Sequence, residues 1–376
     1  MTPKIRAFLE ARPQTPCVVL DLDAAEAAWR SLAQAFPEAL IHYAVKANPA
    51  PALLARLASL GSGFDAASWP EIEACLAAGA VPERISFGNT VKSADAVARA
   101  HAAGVPLYAS DTEADLRKIA RLAPGRGVYV RVAVENAGAA WPLAGKFGTT
   151  PDETARLLHL AHDLGLSAEG ISFHVGSQQT DPAAYAAAIG RVARIFTALR
   201  AEGLPMRLLN LGGGFPIDLG EGVPTPEAFA EAAFDACRRH FGNDWPRLMI
   251  EPGRAVAGPA GVFAASVVLA DRREPEGVRW IYLDAGRFQG LAETEGEAIA
   301  YALETSRDGD GAPRVETALA GPTCDGVDVL YRPGRYRLPE TLSEGDRVLL
   351  HGAGAYTWTY AAVGFNGFAP PALHVV

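Results

Sequence analysis

Eight short apolar runs, each followed by a stretch with helical periodicity, constrain the fold of this chain more than any other feature. The runs lie between about residue 40 and residue 255 and read IHYAVKAN, GSGFDAAS, RISFGN, PLYASD, GVYVRV, GISFHVGS, RLLNLGGGFP and RLMIEPGR. Several of the intervening stretches, such as SADAVARAHAAG, begin with Ser, Asp, Thr or Pro and close with Gly, as helices do. Eight β-then-α units in series predict a (β/α)8 barrel, with an open doubly wound sheet as the alternative.

After the eighth run, apolar segments no longer alternate with helical stretches. The segments AGVFAASVVLADRR, VRWIYLDAG, RVETALAGPTC, DRVLLHGAGAYT and ALHVV are typical of strands separated by turns, with little helix between them. The N-terminal segment TPCVVLDL adds a further strand. The sequence therefore predicts an α/β chain with a barrel domain over residues 22–258 and a mostly β domain built from residues 1–21 and 259–376.

Composition narrows the class of protein. Of the 376 residues, 49% are hydrophobic and 20% charged, which is ordinary for a globular chain. The net charge of −9 argues against nonspecific attraction to nucleic acid or to an anionic membrane. No stretch of 18 apolar residues occurs and the first residues contain no apolar leader, so we expect a cytoplasmic location. The cysteines are too scattered for a disulfide framework, at Cys17, Cys75, Cys237 and Cys324.

Polar residues interrupt the apolar runs at their C-terminal ends. They are Lys46, Asp65, Arg131, His174 and Glu251. In a barrel these ends meet on one face, where the active sites of such enzymes lie. The convergence predicts an enzyme.

The loops after the seventh and eighth runs suggest a phosphate site. Gly212–Gly214 alone would indicate a tight turn, but Arg254 in the next loop adds a fixed positive charge. A phosphate site beside a strand-end lysine suits an aldehyde cofactor held by Lys46 as a Schiff base. Glu251 would then face the pyridine nitrogen; the alternative for Glu251 is a buried ion pair with Arg254 or Arg131.

Nine stretches, in order along nearly the whole chain, carry a resemblance to a known family. They are YAVKANP, FDAAS, ISFGNTVK, FHVGSQQTDP, LNLGGGFP, IEPGR, YLDAGRFQGLAET, GPTCDGVDVLY and GAYT with FNGF. With them the chain resembles the fold-type III pyridoxal-phosphate decarboxylases, which share an alanine racemase-like fold, and among these the bacterial ornithine decarboxylases.

The resemblance implies pyridoxal 5′-phosphate as cofactor and a role for each matching residue. Lys46 matches the Schiff-base lysine, His174 the imidazole that stacks on the cofactor ring, and Glu251 the carboxylate at the pyridine nitrogen. The further positions expected to bind the cofactor are Asp65, Arg131, Ser177, Gly213, Gly214, Gly253, Arg254 and Tyr356.

The resemblance also implies a shared active site in an obligate head-to-tail homodimer. Cys324 matches the cysteine that protonates the substrate carbon after carbon dioxide leaves, and Asp325 the aspartate that holds the distal ammonium. Both are expected to reach into the partner's site. Phe365 and Asp284 are expected to contribute to substrate binding, and Lys146 to pair with Asp328 across the interface.

The expected reaction is decarboxylation of L-ornithine to putrescine in polyamine biosynthesis, with L-lysine, or both, as the alternative. Larger relatives have an acidic residue after the strand WIYLD, and whether Asp284, Glu293 or a water replaces it here is open. A diaminopimelate decarboxylase would have Cys-Glu-Ser where this chain has Cys-Asp-Gly, although Arg287 keeps that option. A decarboxylase of a specialised pathway is a further alternative.

Two more distant alternatives concern other functions of the same fold. A racemase of the same cofactor class would need a second base, for which Tyr356 is the candidate, and a non-enzymatic regulatory homologue would have lost cofactor residues that this chain keeps. Trp69 lies where related chains usually have a smaller or a basic residue. His159 and His162 lie three residues apart on a predicted helix but without a third ligand, so no metal is expected.

Overall fold

A computed structural model of the chain describes residues 1–141, 145–275 and 277–376. The strands are β1 (Cys17–Leu20), β2 (Leu40–Ala44), β3 (Gly63–Ala66), β4 (Ile85–Phe87), β5 (Leu107–Ser110), β6 (Gly127–Arg131), β7 (Ala139–Trp141), β8 (Ser167–Ser172), β9 (Ser177–Gln179), β10 (Leu208–Asn210), β11 (Arg247–Ile250), β12 (Gly261–Arg273), β13 (Val278–Leu283), β14 (Ala302–Thr305), β15 (Arg314–Ala320), β16 (Val329–Pro339), β17 (Arg347–His351) and β18 (Ala372–Val375).

The α-helices are α1 (Pro3–Glu10), α2 (Leu22–Ala35), α3 (Pro51–Ser59), α4 (Trp69–Ala77), α5 (Ala94–Ala102), α6 (Glu113–Leu122), α7 (Pro151–Asp163), α8 (Ala183–Ala201), α9 (Pro226–Phe241) and α10 (Arg254–Ala257). Short 3₁₀ turns lie at Val45–Ala47, Pro82–Arg84, Ala292–Glu297, Trp358–Tyr360 and Phe365–Gly367.

The eight apolar runs form one closed parallel barrel, as predicted. Its strands follow the order β10–β11–β2–β3–β4–β5–β6–β8. A parallel sheet that is covered on its outer face by helices buries both faces, which explains why these strands are almost continuously apolar. Part of the barrel interior is filled by Ala109, Tyr129, Leu208 and Met249, all buried.

The helices of the barrel begin at hydroxyl residues for a physical reason. The side chains of Ser68, Ser93, Thr112 and Thr150 each accept a hydrogen bond from the backbone N–H three residues later, in the first turns of α4 to α7. Each such cap satisfies a donor that the helix leaves unpaired and contributes about 1 kcal/mol. Ser93 and Thr150 open stretches that the sequence pattern identified as helices, whereas the patterns for α4 and α6 began one or two residues away from Ser68 and Thr112.

A small antiparallel pair, β7 with β9, was not predicted. Ala139 pairs with Gln179 and Trp141 with Ser177. The segments AAW and SQQ contain no β-branched residue and no alternating pattern, so only the fold reveals them as strands. The pair orders the segment that follows β8, which includes Ser177.

The β domain is a mixed sheet whose main path is β14–β17–β12–β13–β15–β16. Strand β1 pairs with β12 antiparallel and with β18 parallel, which confirms that the N-terminal segment adds a strand to this sheet. Strands β14 and β16 were not predicted. Strand β16 contains Arg-Pro-Gly-Arg at its centre, a composition that argues against a strand when only local propensity is considered.

The chain folds into two compact units. The β unit contains Met1–Ala25, Ile217–Gly222 and Ala257–Val376, and the barrel unit contains Glu26–Pro216 and Val223–Val256. The boundaries expected from the sequence, residues 22–258 for the barrel domain, stay a prediction. In the described part of the chain, no helix is both long enough and apolar enough to span a bilayer.

Candidate active site

Lys46 lies in the 3₁₀ turn that directly follows β2. Its side chain is exposed, whereas Val45 and Ala47 on either side are buried in the barrel wall. The positive charge of Lys46 lowers the pKa of Asp65 and of His174, although burial is the largest influence on both. Lys46 is therefore an exposed amine whose charge acts on two titratable side chains at the carboxyl end of the strands.

Asp65 is a buried carboxyl group next to a second one. Burial and then the charge of Glu251 raise the pKa of Asp65 well above its usual range. The hydroxyl of Ser86 lies 3.4 Å from Asp65 Oδ1 and 3.0 Å from Nδ1 of His42, so a polar chain runs through the barrel interior. Burial lowers the pKa of His42 to about 4, which keeps this end of the chain neutral.

Glu251 follows β11 and is held by groups from two other strands. Asn210 Nδ2 donates to Glu251 Oε1 at 2.5 Å, and the Tyr129 hydroxyl donates to the same oxygen at 3.4 Å. The backbone N–H of Glu251 donates to the carbonyl of Gly212 at 2.8 Å. The carboxylate is thus fixed by neutral donors, which leave its negative charge available to a cationic ligand atom.

His174 is a neutral imidazole with a defined tautomer. The backbone N–H of Gly176 donates to His174 Nδ1 at 3.0 Å, so Nδ1 is unprotonated. Burial lowers the pKa of His174 well below its usual range, and the charges of Arg131 and Lys46 lower it further. At neutral pH the ring therefore has its proton on Nε2.

Arg131, at the end of β6, is held in an aromatic and acidic environment. Its guanidinium lies 5.3 Å from the ring centroid of Phe147. Burial lowers its pKa, while the charges of Glu251 and Asp111 act in the opposite direction. Its positive charge balances part of the charge of the two carboxyl groups of the site.

The glycine loop after β10 and the arginine after β11 form a narrow cradle. A Cβ on Gly213 would lie 2.5 Å from the carbonyl oxygen of Glu251, and one on Gly214, where φ is +104°, would lie 2.3 Å from that of Gly176. Arg254 is buried, and its Nη2 donates to Ser177 Oγ at 3.2 Å. Backbone amides without side chains, a hydroxyl and a guanidinium are the donors that bind a phosphate group, so these residues fit the phosphate of a pyridoxal cofactor.

The second group of predicted residues lies in the β unit, in the loop between β15 and β16. Cys324 and Asp325 are exposed, whereas Asp328 is buried. The Asp328 carboxylate accepts hydrogen bonds from the Thr323 hydroxyl at 2.7 Å and from the backbone N–H of Arg287 at 2.8 Å. Its oxygens are therefore engaged within their own unit, where they fix the loop that presents Cys324.

Gly286 and Gly321 make room for this carboxylate. A Cβ would lie 2.0 Å from Asp328 Oδ1 at Gly286 and 2.3 Å from Oδ2 at Gly321. The intersubunit ion pair expected between Lys146 and Asp328 stays a prediction. The structure gives Asp328 a local structural role and places the exposed Lys146 ammonium 5.0 Å from the centroid of the Phe147 ring.

A cavity of about 380 Å³ lies in the β unit beside this loop. Its lining includes Phe288, Glu295, Val327 and Tyr360. Phe365 packs against Phe288 with ring centroids 4.3 Å apart. Glu295, which was not among the predicted site residues, is an exposed carboxylate in this lining.

Two acidic residues, Asp284 and Glu293, were considered for the substrate's distal group. Asp284 Oδ1 accepts the backbone N–H of Ser266 at 2.9 Å, and burial raises the pKa of Asp284. Glu293 is buried, with 4% of its surface exposed. Asp284 is thus engaged in the sheet of the β unit, and its expected part in substrate binding, like that of Glu293, stays a prediction.

The structure also shows the contacts of Tyr356, Trp69 and His159, which the sequence analysis considered. Tyr356 lies in the β unit with φ +55° and its ring 6.3 Å from that of Tyr360, so its contact with the cofactor phosphate stays a prediction. The Trp69 ring stacks under the Arg99 guanidinium at 4.5 Å, which accounts for an aromatic residue between α4 and α5. His159 Nε2 lies 2.9 Å from the carboxylate of Glu202.

The residues that hold the predicted ones in place were themselves not predicted. Asn210 ends an apolar run as Lys46 does, and Tyr129 lies two residues before Arg131 on the same strand face, so both had a readable signal. Glu71 accepts the backbone N–H of Ala67 at 2.6 Å and lies near Lys46, whose charge lowers its pKa against the effect of burial. Its Ser-x-x-Glu spacing from Ser68 is a capping signature.

Comparison with known proteins identifies the family. The profile of the pyridoxal-dependent decarboxylases, for the pyridoxal binding domain, matches residues 22–258. A lysine/ornithine decarboxylase of Selenomonas ruminantium is 35% identical over 362 residues, which are 96% of this chain and 89% of that protein. The chain belongs to the pyridoxal-dependent decarboxylase family.

Solved structures agree with this assignment. The arginine decarboxylase of Paramecium bursaria Chlorella virus matches with a TM-score of 0.90 and 31% identity, over the whole of both chains. SrLDC in complex with PLP and cadaverine matches with a TM-score of 0.87 and 34% identity, over 100% of this chain and 94% of that one. The fold-type III assignment, the enzyme class and the pyridoxal-phosphate cofactor predicted from the sequence are confirmed.

Proposed function

We propose that the protein decarboxylates a basic diamino acid, L-ornithine first, and releases putrescine and carbon dioxide in polyamine biosynthesis. One observation carries the choice of substrate: an exposed carboxylate, Asp325, directly follows the exposed thiol of Cys324 in the loop that Asp328 organises. A carboxylate there suits a substrate whose distal group is an ammonium. The names of the lysine/ornithine decarboxylase of Selenomonas ruminantium and of fungal and mammalian ornithine decarboxylases support the same class.

Different barrel residues would bind different parts of the cofactor. Lys46 would bind its aldehyde carbon, and Glu251 would keep the pyridine nitrogen protonated. The phosphate would lie among Ser177, Gly214 and Arg254, while the neutral His174 would pack against the ring without competing for charge. When bound, pyridoxal phosphate supplies an electron-withdrawing ring that takes up the electron pair left by carbon dioxide.

Cys324 would carry out the remaining step, which is protonation of the substrate carbon. The carbon that loses carbon dioxide needs a proton, and a thiol gives up a proton near neutral pH more readily than a hydroxyl does. Asp325 would orient the substrate through its distal ammonium. Asp65 and Arg131 would set the charge of the site around the substrate and Lys46.

A substrate comparison tests this proposal. The purified, cofactor-loaded protein is assayed for amine product with L-ornithine, L-lysine, L-arginine and meso-diaminopimelate side by side. We expect faster turnover of ornithine than of the others. Faster turnover of lysine would favour the lysine alternative, and preference for arginine or diaminopimelate would contradict the proposed diamino acid class.

A second copy of the chain is the proposed partner, in a cytoplasmic homodimer. Large apolar side chains are exposed in the Cys324 loop and in the segment that contains Asn366: Val327 is 55% and Val363 91% exposed, and Tyr360 and Phe365 are exposed as well. Large exposed apolar side chains grouped around functional residues are typical of an interface. The proposed active site therefore combines barrel residues of one subunit with the Cys324 loop of the other.

Mixing two inactive variants tests the shared site. Lys46→Ala and Cys324→Ala each remove one contribution, so a mixed dimer has one intact site and one doubly damaged site. With random subunit exchange, half of the dimers are mixed, and we expect about a quarter of wild-type activity. Exchange is verified separately with a size-tagged subunit. No recovery of activity in mixtures that do exchange would contradict the shared site.

A further inference from the structure

Asn366 makes two contacts with Cys324 through one atom. The backbone N–H of Cys324 donates to Asn366 Oδ1 at 3.1 Å, and the Cys324 Sγ lies 3.4 Å from the same oxygen. The second distance is within hydrogen-bonding range for a sulfur donor. An amide oxygen has two lone pairs, so it can accept from the backbone and from the thiol at the same time.

The backbone conformation of the turn that contains Asn366 holds its side chain in this contact. Asn366 has φ +50°, in the left-handed region, and it lies between Gly364 at φ +78° and Gly367 at φ +82°. Asn is one of the few side chains that adopt this conformation at small cost. Phe365, the preceding residue, is anchored on Phe288 at 4.3 Å. The position of the amide is thus set by the backbone of the turn and by a packed neighbour.

We propose that Asn366 is a positioning residue for Cys324: its side-chain oxygen accepts the thiol hydrogen and keeps the thiol protonated and oriented until the proton is delivered. The inference rests on the proposed function, in which Cys324 is the proton donor. An amide oxygen stabilises the S–H form, because it accepts its hydrogen, and offers nothing to a thiolate. The contact therefore maintains the acid form of the residue that must act as an acid.

The proton transfer balances without another reactant. The S–H bond breaks as a C–H bond forms at the carbon that has lost carbon dioxide, and the sulfur keeps the electron pair of the S–H bond as a thiolate. Water returns a proton to the sulfur before the next turnover. Asn366 takes no part in bond making; it determines where the thiol hydrogen points beforehand.

Apart from residue 366 itself, the charged side chains near the thiol are unchanged in every variant of the test. Among the described residues these side chains include Asp325, the next residue in the chain, Asp328, which organises the same loop, and Arg287, whose backbone N–H donates to Asp328. A shift in the behaviour of the thiol on substitution of Asn366 therefore reports on residue 366 itself.

Two substitutions test the inference in opposite directions. Asn366→Asp keeps an oxygen acceptor and adds a negative charge, and Asn366→Gly removes the acceptor. Both residues tolerate a positive φ, so the turn is retained. The rate of alkylation of the holoenzyme by iodoacetamide is measured against pH. We expect the midpoint of this profile for Cys324 to move up in Asn366→Asp and down in Asn366→Gly, by roughly one pH unit each.

The other cysteines do not interfere with this measurement. Cys17, Cys75 and Cys237 are buried, and burial raises their pKa to about 11, 12 and 12. Cys324→Ser gives the background rate. A merely structural role of Asn366 would not move the midpoint in opposite directions, so two unshifted profiles, or two shifts of the same sign, would overturn the proposal.

Turnover in D₂O links the contact to the reaction. The wild type is expected to give a diamine with one deuterium in a single configuration. In Asn366→Gly we expect mixed configurations and a loss in kcat of tenfold or more, with KM within about twofold, because binding is unaffected and only proton delivery is disordered. Unchanged configuration and kcat would overturn the proposal. If the wild type decarboxylates none of the four amino acids, the proposed function fails, and the thiol profiles alone decide whether Asn366 acts on Cys324.

Discussion

Replacing Lys46 by alanine is expected to lower kcat by roughly three to four orders of magnitude, the scale on which positioned nucleophiles and general acids contribute. Lys46 is the exposed amine at the end of β2, and its charge acts on the pKa of the buried Asp65 and of the half-buried His174. Without it the cofactor aldehyde has lost its proposed covalent partner. Removal of its charge also raises the pKa of Asp65 further, because that charge opposes the effect of burial.

Lys46→Arg separates these two effects. Arginine keeps the positive charge beside Asp65 but has no amine that is free to react at neutral pH. We therefore expect the loss in Lys46→Arg to be nearly as large as in Lys46→Ala. Reduction of the wild-type holoenzyme with borohydride, followed by peptide mapping, provides a direct check. Cofactor attached to any residue other than Lys46 would show that the assignment is wrong.

Replacing Glu251 by glutamine is expected to cost roughly two to three orders of magnitude in kcat, an electrostatic effect at the reacting ring. Glutamine has the same shape and keeps a carbonyl oxygen for Asn210 and Tyr129, which now bind Glu251 Oε1. The fold should therefore persist while the negative charge that holds the ring proton is lost. Kinetics and the melting temperature of the holoenzyme together distinguish a chemical effect from an unfolded barrel.

Glu71→Gln is the matched control for this substitution. Glu71 is also a carboxyl group near Lys46, but it caps α4 by accepting the backbone N–H of Ala67. A glutamine keeps that cap, so we expect a loss of less than tenfold. Equal losses in Glu71→Gln and Glu251→Gln would mean that the site responds to total charge and that Glu251 has no specific role at the ring.

Glu251→Gln is also expected to change the pH dependence of kcat. The charge of Glu251 is, after burial, the largest influence that raises the pKa of Asp65. Glu251→Gln therefore lowers that pKa, and Asp65 ionises at a lower pH in the variant than in the wild type. We expect any acidic limb of the kcat profile that depends on Asp65 to move to lower pH, and a move to higher pH would contradict the coupling.

Much of the barrel could be predicted because its information is local. The apolar runs of β2 to β6, β8, β10 and β11 and the hydroxyl caps of α4 to α7 are each read from a few neighbouring residues. The elements that were missed have no such signal. Strands β7 (AAW) and β9 (SQQ) contain no β-branched residue and no alternating pattern, and β16 contains proline, glycine and several arginines.

The sequence by itself determined which residues stand at the carboxyl ends of the barrel strands. Parallel strands in β-then-α units all end on one face, so Lys46, Asp65, Arg131, His174 and Glu251 could be grouped from their positions alone. The family motifs added the cofactor and the reaction class. Both conclusions need only the order of residues along the chain.

Only the tertiary structure decided what each of these side chains touches. Tyr129 and Glu251 are 122 residues apart, and Cys324 and Asn366 are 42 apart, yet each pair is joined by a hydrogen bond. Asp328 is bound inside its own unit, and the Asp284 carboxylate belongs to the sheet. Such contacts depend on strand register and loop closure, which bring together groups whose separation along the chain contains no information about their distance in space.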